Sequence, residues 1–369
     1  MKKLLFLFGT RPEAIKMAPL IDCFSNDSRF EVKVGVTAQH REMLDQVLSF
    51  FSIKVDYDLN IMKPNQTLHQ LTADLISRIT NEILLKESFD YVFVQGDTTT
   101  VLASSLAAFY QKIKVIHIEA GLRSGDMHSP FPEEMNRVLT SKLASYHFCP
   151  TETSRANLFK ENITENVFVV GNTVIDALFK GLNTIRETSE ESLLEQFKNI
   201  NFDKKVILVT CHRRENFGKP FETICDSLLE IAASHTDSVE IVYPVHLNPN
   251  IKEIAHQKLI ASNIKLIAPL DYPELIWMMN KSSIILTDSG GIQEEAPSLG
   301  KPVLVLREVT ERTEGIEAGT AILVGSNKEK IVSETLRLLN DSEYYSSISK
   351  ASNPYGDGRT SVKILNILT

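Results

Sequence analysis

Short apolar runs alternate with longer segments of helical periodicity along most of the chain, and this alternation limits the possible folds more than any other feature. In the first half the runs lie at 4–8, 32–37, 91–95, 115–119, 146–150 and 167–170. Consecutive strands that are separated by helices pair in parallel, with helices on both faces of the sheet. The pattern therefore predicts a doubly wound α/β domain over residues 1–172.

A second series of runs predicts a second domain of the same class. These runs lie at 206–210, 240–245, 264–267, 284–287, 303–306 and 321–324. We expect two Rossmann-like domains, 1–172 and 201–354, joined by a charged helical connector at 173–200. Ligands bind beyond the carboxyl ends of the strands in such sheets, so we expect the functional residues to meet in a cleft that both domains face.

The charge of the chain argues against two classes of partner. A net charge of −8 provides no broad cationic surface for nucleic acid or for an anionic membrane. No stretch reaches the roughly 20 apolar residues of a membrane span, and the four cysteines form no CxxC pair. We therefore expect a cytoplasmic protein without a metal site or a disulfide framework.

The first predicted strand is followed by the sequence GTRPEAIK at 9–16. The glycine permits a tight turn, and the free backbone amides of the next helix, with Arg11 and Lys16 nearby in sequence, suit an anion. The segment matches neither the GxGxxG fingerprint nor the P-loop, which argues against a dinucleotide or nucleoside-triphosphate enzyme. An ordinary surface arginine after a strand is the alternative interpretation.

A stronger anion motif, DSGGIQEEA at 288–296, follows an apolar run of the second half. Gly290 and Gly291 let the backbone approach a pyrophosphate closely, and Ser289 adds a hydroxyl. Glu295, one turn into the next helix, is placed to accept hydrogen bonds from a ribose diol. The alternative is a glycine turn before an acidic helix start, which the helix dipole also favours.

Carboxylates occur at equivalent places in the first half. Asp97 and Glu119 lie where two predicted strands end, and Glu133 lies in the sequence SPFPEE. Acids at one edge of a sheet can share proton transfer, with pKa values that depend on burial and on one another. Arg137, four residues after Glu133, is predicted to hold Glu133 ionised. Each acid alone could instead be a helix cap or a solvated side chain, Asp97 above all because three threonines follow it.

The first strand of the second half is followed by CHRREN at 211–216. His212 is in position to donate to a phosphate or to move a proton. A single histidine is usually structural, but a histidine beside Arg213 and Arg214 at a strand end points to function.

Together these segments resemble the non-hydrolysing UDP-N-acetylglucosamine 2-epimerases of bacteria, a family with the two-lobed GT-B architecture. The similar segments, in the family's order, are FGTRPEAIKMAP at 8–19, QHREMLD at 39–45, GDTTT at 96–100, EAGLRSG at 119–125, HRREN at 212–216, DSGGIQEEAP at 288–297 and NPYGDG at 353–358. The resemblance also implies that the tail, 355–369, returns to the first domain.

The same resemblance implies roles for individual residues. It gives a catalytic set of Asp97, Glu119, Glu133, His212 and Arg137. It gives substrate contacts at Arg11, Lys16, Leu275, Ser289, Gly290, Gly291, Glu295 and Arg312. It gives an activator site, occupied by a second substrate molecule, at Gln39, His40, Gln70, Glu134, Arg213 and His246.

Three residues depart from the family's pattern. Leu275 stands where relatives place an aromatic side chain against the uracil, so this position offers no ring to stack on the base. Thr313 replaces a proline and Cys211 replaces a small residue, and neither change removes a functional group.

The implied reaction inverts C2 of UDP-N-acetylglucosamine by anti elimination of UDP to a 2-acetamidoglucal, followed by re-addition to give UDP-N-acetylmannosamine. It requires no cofactor and no metal, and its product would supply cell-surface polysaccharide synthesis. We expect a homodimer whose small-molecule partners are UDP-sugars. The alternatives are a hydrolysing 2-epimerase that releases UDP, a GT-B glycosyltransferase and a non-catalytic nucleotide-sugar sensor.

Overall fold

The computed structural model describes residues 1–38, 41–63 and 66–369. The chain forms two compact units, residues 1–180 with 355–369, and residues 181–354. Each unit contains one sheet whose strand pairs are all parallel. The predicted class, two doubly wound α/β units, is therefore confirmed.

The N-terminal unit has a seven-stranded sheet of order β3-β2-β1-β4-β5-β6-β7. Its strands are β1 (Lys2–Phe8), β2 (Phe30–Val36), β3 (Tyr57–Asp58), β4 (Tyr91–Gln95), β5 (Lys114–Ile118), β6 (Tyr146–Cys149) and β7 (Val167–Val169). The strand order reverses between β1 and β4, which is where doubly wound sheets bind ligands. Six of the strands match predicted runs, whereas β3 was not predicted because only two residues among charged neighbours form it.

Helices cover both faces of this sheet. They are α1 (Arg11–Ser25), α2 (Arg41–Phe50), α3 (Leu68–Ile79), which continues into the π-helical turn Thr80–Leu84, α4 (Thr99–Tyr110), α5 (Glu133–Leu143), α6 (Glu152–Lys160) and α7 (Thr173–Thr188). Buried aromatic rings join sheet and helices: Phe6 stacks on Phe93 with ring centroids 4.3 Å apart, and both pack against Phe24 of α1. Each such ring contributes about 1.5–3 kcal/mol through burial.

The C-terminal unit has a six-stranded sheet of order β10-β9-β8-β11-β12-β13. Its strands are β8 (Lys205–Thr210), β9 (Val239–Pro244), β10 (Ile264–Ile267), β11 (Ile284–Thr287), β12 (Val303–Val305) and β13 (Ala321–Leu323). Its helices are α8 (Glu190–Gln196), α9 (Lys219–Ser234), α10 (Pro249–Lys258), α11 (Tyr272–Lys281), α12 (Gly290–Glu295), α13 (Thr313–Glu317), α14 (Lys328–Asn340) and α15 (Ser342–Ser349). Here the order reverses between β8 and β11, so these two strands mark the ligand-binding edge.

The tail ends in α16 (Thr360–Leu368), which belongs to the N-terminal unit. The buried Asp176 of α7 accepts hydrogen bonds from the backbone amides of Thr360 and Ser361, at 3.1 and 2.7 Å. The predicted connector, 173–200, contains α7 and α8, and the boundary between the units falls inside α7. Among the helices that the structure describes, none has both the length and the apolar character needed to cross a membrane.

Candidate active site

The carboxyl ends of β1, β4 and β5 lie side by side in the N-terminal sheet. The residues that follow these strands are therefore neighbours, although they are far apart in sequence. The Gly96 amide donates to the Ile118 carbonyl at 3.1 Å, which joins the β4 turn to the end of β5. This register places Asp97 and Glu119 at one edge of the sheet, as the sequence predicts.

Glu119 is held by three side chains from other elements. The Lys16 ammonium contacts both of its carboxylate oxygens, at 2.6 and 2.7 Å. Asn172 donates to it at 3.1 Å and the Gln95 amide also donates to it. The Glu119 backbone has a φ of +63°, a left-handed conformation that costs about 1–3 kcal/mol for most residues and is common at functional sites. The carboxylate is thus fixed in direction and paired with a cation.

Asp97 is bound by Arg137 of α5. The Nε and Nη2 atoms of Arg137 lie 2.9 and 2.7 Å from Asp97 Oδ2, and Nη1 lies 3.0 Å from Glu134. The predicted pairing of Arg137 with Glu133 is therefore wrong, because the guanidinium turns to the acid three residues before it and to a strand-end acid. Burial raises the pKa of Asp97; the Arg137 charge opposes that rise and the Glu119 charge adds to it.

Asp97 is not a helix cap, which was the alternative interpretation of this residue. The N-cap of α4 is Thr98, whose hydroxyl accepts from the Val101 amide at 3.3 Å. The same hydroxyl donates to the buried Glu13 at 2.6 Å. Glu13 also accepts from the Gly9 and Thr10 amides, at 2.9 and 2.7 Å, in the capping box of α1. Glu13 therefore ties the β1 turn to the turn that carries Asp97.

Glu133 and Glu134 begin α5 but have different surroundings. Glu133 is half-buried, and within the described residues its carboxylate has no hydrogen bond or ion pair. Glu134 is 2% exposed and accepts from the Gly125 amide at 3.1 Å. Burial opposes the ionisation of Glu134, but hydrogen bonds from the Ser124 and Gly125 amides and from Arg137 together lower its pKa.

In the C-terminal unit, β8 and β11 pair in register and end together, with the hydroxyls of Thr210 and Thr287 2.6 Å apart. The segments that follow them are joined by Asp288, which is fully buried. Its Oδ2 accepts from the amides of His212 and Arg213, both at 2.8 Å, and its Oδ1 lies 3.4 Å from His212 Nδ1.

The His212 ring approaches this carboxylate through Nδ1 and a second imidazole through its face. It stacks on His246 with centroids 5.5 Å apart and the planes 15° from parallel. Burial lowers the pKa of His212, and the charge of Asp288 acts in the opposite direction. The imidazole is therefore neutral near pH 7, with one nitrogen able to donate and the other able to accept a proton.

The glycine turn after β11 carries the predicted diphosphate contacts. Ser289 is the N-cap of α12, and its amide donates to the Thr287 hydroxyl at 2.9 Å. A Cβ on Gly290 would lie 3.3 Å from Cζ of Arg312, so the glycine lets the guanidinium approach the turn. The Arg312 Nε atom donates to Glu294 at 2.9 Å, which fixes it there.

Glu295 and Leu275 are the predicted nucleoside contacts. Glu295 is 6% exposed in the last turn of α12. Burial raises the pKa of Tyr272, and so does the negative charge of Glu295 close to it. Leu275 is partly buried in α11, three residues after Tyr272. Both elements belong to the same unit as the glycine turn.

Arg11 and Lys16, the cations predicted beside the β1 turn, have different surroundings. Lys16 is paired with Glu119, whereas Arg11 is partly exposed and has no side-chain partner in the ranges 1–38, 41–63 and 66–369. In the same described ranges, no group of three or more His, Cys, Asp or Glu side chains could hold a metal ion.

The predicted activator contacts have unlike surroundings. Gln39 and His40 lie outside the described residues. Gln70 is exposed and forms the capping box of α3 with Thr67. Glu134 belongs to the Arg137 cluster, while Arg213 and His246 follow β8 and β9 with exposed side chains.

Several residues that build the site were not singled out from sequence. They are Glu13, Gln95, Asn172 and Asp288. A signal exists for two of them: Thr-x-x-Glu after a strand indicates the capping box of Glu13, and Asp288 directly follows a buried strand. Gln95 and Asn172 reach Glu119 only through the sheet order, which local sequence does not reveal.

Comparison with known proteins adds independent evidence. A family model described as UDP-N-acetylglucosamine 2-epimerase matches residues 23–369. A UDP-N-acetylglucosamine 2-epimerase of Salmonella typhimurium is 57% identical over 99% of this chain and 98% of its own length. The corresponding protein of Escherichia coli K12 is 55% identical, with the same coverage.

Solved structures give the same family. A UDP-GlcNAc 2-epimerase of Neisseria meningitidis, bound to UDP-GlcNAc, is 51% identical with a TM-score of 0.88, and the match covers 99% of both chains. The Methanocaldococcus jannaschii enzyme in complex with UDP-GlcNAc and UDP is 36% identical with a TM-score of 0.78, covering 100% of this chain and 99% of that one. The GT-B class is thereby confirmed as two parallel-sheet α/β domains. The chain belongs to the UDP-N-acetylglucosamine 2-epimerase family and is an isomerase.

Proposed function

We propose that this chain interconverts UDP-N-acetylglucosamine and UDP-N-acetylmannosamine without net hydrolysis, using Asp97, Glu119, Glu133 and His212, with Arg137 beside Asp97. The observation that carries the proposal is the pair of strand-end carboxylates in the N-terminal unit, each bound to its own cation. The names of the relatives support the same substrate. A cationic partner favours the ionised form of a carboxylate that is partly withdrawn from water.

The C-terminal unit supplies the UDP contacts in this proposal. The Ser289-Gly290-Gly291 turn with Arg312 beside it suits a diphosphate, since backbone amides and a guanidinium recognise phosphate oxygens. Glu295 suits the ribose diol. Arg11, which has no protein partner in the described part of the chain, is a further phosphate contact.

The chemistry begins with cleavage of the C1–O bond to UDP. Positive charge then builds at C1 and makes the C2 proton acidic, so that a carboxylate removes it and 2-acetamidoglucal and UDP are formed. Protonation of C2 from the opposite face and return of UDP to C1 give the other epimer. The raised pKa of Asp97 suits an acid that must both take and give a proton. No bond change in this sequence is an oxidation.

The test is incubation of the protein with UDP-N-acetylglucosamine in heavy water, followed by NMR. We expect UDP-N-acetylmannosamine with deuterium at C2. Release of free N-acetylmannosamine and UDP would indicate a hydrolysing enzyme. Transfer of the sugar to an added acceptor would indicate a glycosyltransferase, and binding without any reaction would indicate a sensor. Full retention of the original C2 hydrogen in both epimers would contradict proton transfer by several solvent-exchanging acids.

Replacing Asp97, Glu119, Glu133 or His212 by Asn or Gln should lower kcat by a factor of about 10²–10⁴.

We propose further that UDP-N-acetylglucosamine activates the enzyme through Gln39, His40, Gln70, Glu134, Arg213 and His246. The exposed Arg213 and His246 side chains, next to the His212 loop, support a regulatory ligand there. The reverse reaction from the manno epimer alone should then be slow until traces of the gluco form are added. Lag-free kinetics that are unchanged by Arg213→Ala would remove these residues from the proposal. We also propose a cytoplasmic homodimer that supplies surface polysaccharide synthesis.

A further inference from the structure

Asp288 is a buried acid of the C-terminal unit whose carboxylate accepts several hydrogen bonds. It is 0% exposed and directly follows β11 at the point where the strand order reverses. Its Oδ2 atom accepts three hydrogen bonds, from the amides of His212 and Arg213 at 2.8 Å each and from Asn216 Nδ2 at 3.1 Å. Three donors on one oxygen fix the direction of the whole carboxylate.

The second oxygen, Oδ1, is buried and has no hydrogen bond to any described residue. An unsatisfied buried carboxylate oxygen is costly, so native structures retain one only for a reason. The His212 imidazole approaches this oxygen, with Nδ1 3.4 Å away, and the buried Cys211 thiol also lies close to the carboxylate. The 3.4 Å distance to Nδ1 is slightly longer than an ordinary hydrogen bond.

We infer that Asp288 is the positioning residue of His212: its Oδ1 accepts from Nδ1–H and so leaves Nε2, at the far edge of the ring, as the proton acceptor that faces the substrate. The inference rests on the role of His212 in the proposed function. The stacked His246 ring, 5.5 Å away, restricts rotation of the imidazole out of this plane. Because a neutral imidazole carries a single N–H, the choice of tautomer decides which nitrogen can act.

The same residue joins two functions of this unit. Asp288 immediately precedes Ser289, Gly290 and Gly291, the turn assigned to the diphosphate. Its three Oδ2 hydrogen bonds come from the His212 loop. Asp288 therefore links the turn assigned to the diphosphate to the loop that carries His212.

Asp288→Asn tests the inference. The amide oxygen can still accept from the two backbone amides, but its NH2 group would face Nδ1 and force the proton onto Nε2. We expect kcat to fall about 10²–10⁴-fold with little change in KM, as expected when a base is held in the wrong tautomer. Asp176→Asn is the matched control, because Asp176 also accepts two backbone amides in a buried site and touches no imidazole. It should reduce stability and leave kcat unchanged.

A double-variant cycle separates positioning from a structural role. If Asp288 acts through His212, adding Asp288→Asn to His212→Asn should produce no further loss of kcat. Independent, multiplying losses would overturn the inference.

Imidazole ¹⁵N NMR provides a measurement that does not depend on activity. In the unmodified protein His212 should carry its proton on Nδ1, and in Asp288→Asn on Nε2. A proton on Nε2 in the unmodified protein would overturn the inference even where the enzyme epimerises its substrate. Absence of epimerisation, with the Nδ1–H tautomer present, would instead contradict the proposed function.

Discussion

Arg137 is the shared cationic partner of two acids in the N-terminal unit. Among the described residues, it alone pairs with both Asp97 and Glu134. Replacing it by Met should raise the pKa of Asp97 beyond the increase that burial already causes. If catalysis requires ionised Asp97, the variant reaches that state only at higher pH. The acid limb of the profile of kcat against pH should therefore move to higher pH. Stability should fall by about 3–5 kcal/mol, since the buried Glu134 and the partly buried Asp97 lose their cationic partner. Rate profiles and chemical denaturation measure the two effects.

Two further variants interpret that result. Arg137→Lys keeps the charge without the two-pronged geometry and should move the acid limb less. Arg155→Met removes an exposed pair with Glu152 and should cost less than about 1 kcal/mol. If the acid limb does not move in Arg137→Met, the group whose ionisation determines that limb is not Asp97.

At the scale of an element, the turn after β5 depends on Gly121. This residue has a φ of +89°, and a Cβ there would lie 2.2 Å from the Ser154 carbonyl oxygen at the start of α6. Gly121→Ala must therefore displace either α6 or the turn that holds Glu119, and we expect a stability loss well above the 1–2 kcal/mol of left-handed strain alone. Denaturant unfolding provides the measurement.

Gly125→Ala is the matched control for that change. Gly125 has a similar φ, +83°, but a Cβ there would meet nothing within 4 Å. The loss of stability in Gly125→Ala should therefore come from backbone strain alone. Equal losses in the two variants would show that the close approach to Ser154 is relieved without cost.

For the molecule as a whole, two buried imidazoles predict an acid-sensitive N-terminal unit. Mainly through burial, the pKa falls to about 4 for His117 and about 3 for His147, on neighbouring strands. An unfolded chain protonates histidine near pH 6.5, so below that pH the unfolded state binds more protons and stability decreases. At pH 5 the free energy of unfolding is lower by about 2 kcal/mol for each imidazole. Glutamine at position 147 cannot titrate, and His147→Gln should flatten the decline of the unfolding free energy between pH 6.5 and 4.

Comparing variant with unmodified protein removes the contributions of buried acids such as Glu13, whose pKa burial raises. His128→Gln, at an exposed position of the folded chain, is the control for exchanging a histidine for glutamine. An identical slope in His147→Gln would contradict a neutral buried His147.

The local sequence was sufficient to predict the class of each sheet and all the described strands but one. Strands buried on both faces must be continuous apolar runs, so twelve runs identified all strands except β3. Glycines and acids directly after those runs were predicted to lie at the ligand edge, because parallel strands end together. Asp97, Glu119 and His212 are at such ends in the structure.

The pairing of charged groups, in contrast, follows from the three-dimensional arrangement of the elements. Helical spacing suggested Arg137 with Glu133, but the guanidinium binds Glu134 and Asp97, forty residues away in sequence. Lys16 pairs with Glu119 and Asp288 with His212 for the same reason. A buried charge takes the partner that the sheet order and side-chain rotamers bring within about 3 Å, and local sequence specifies neither.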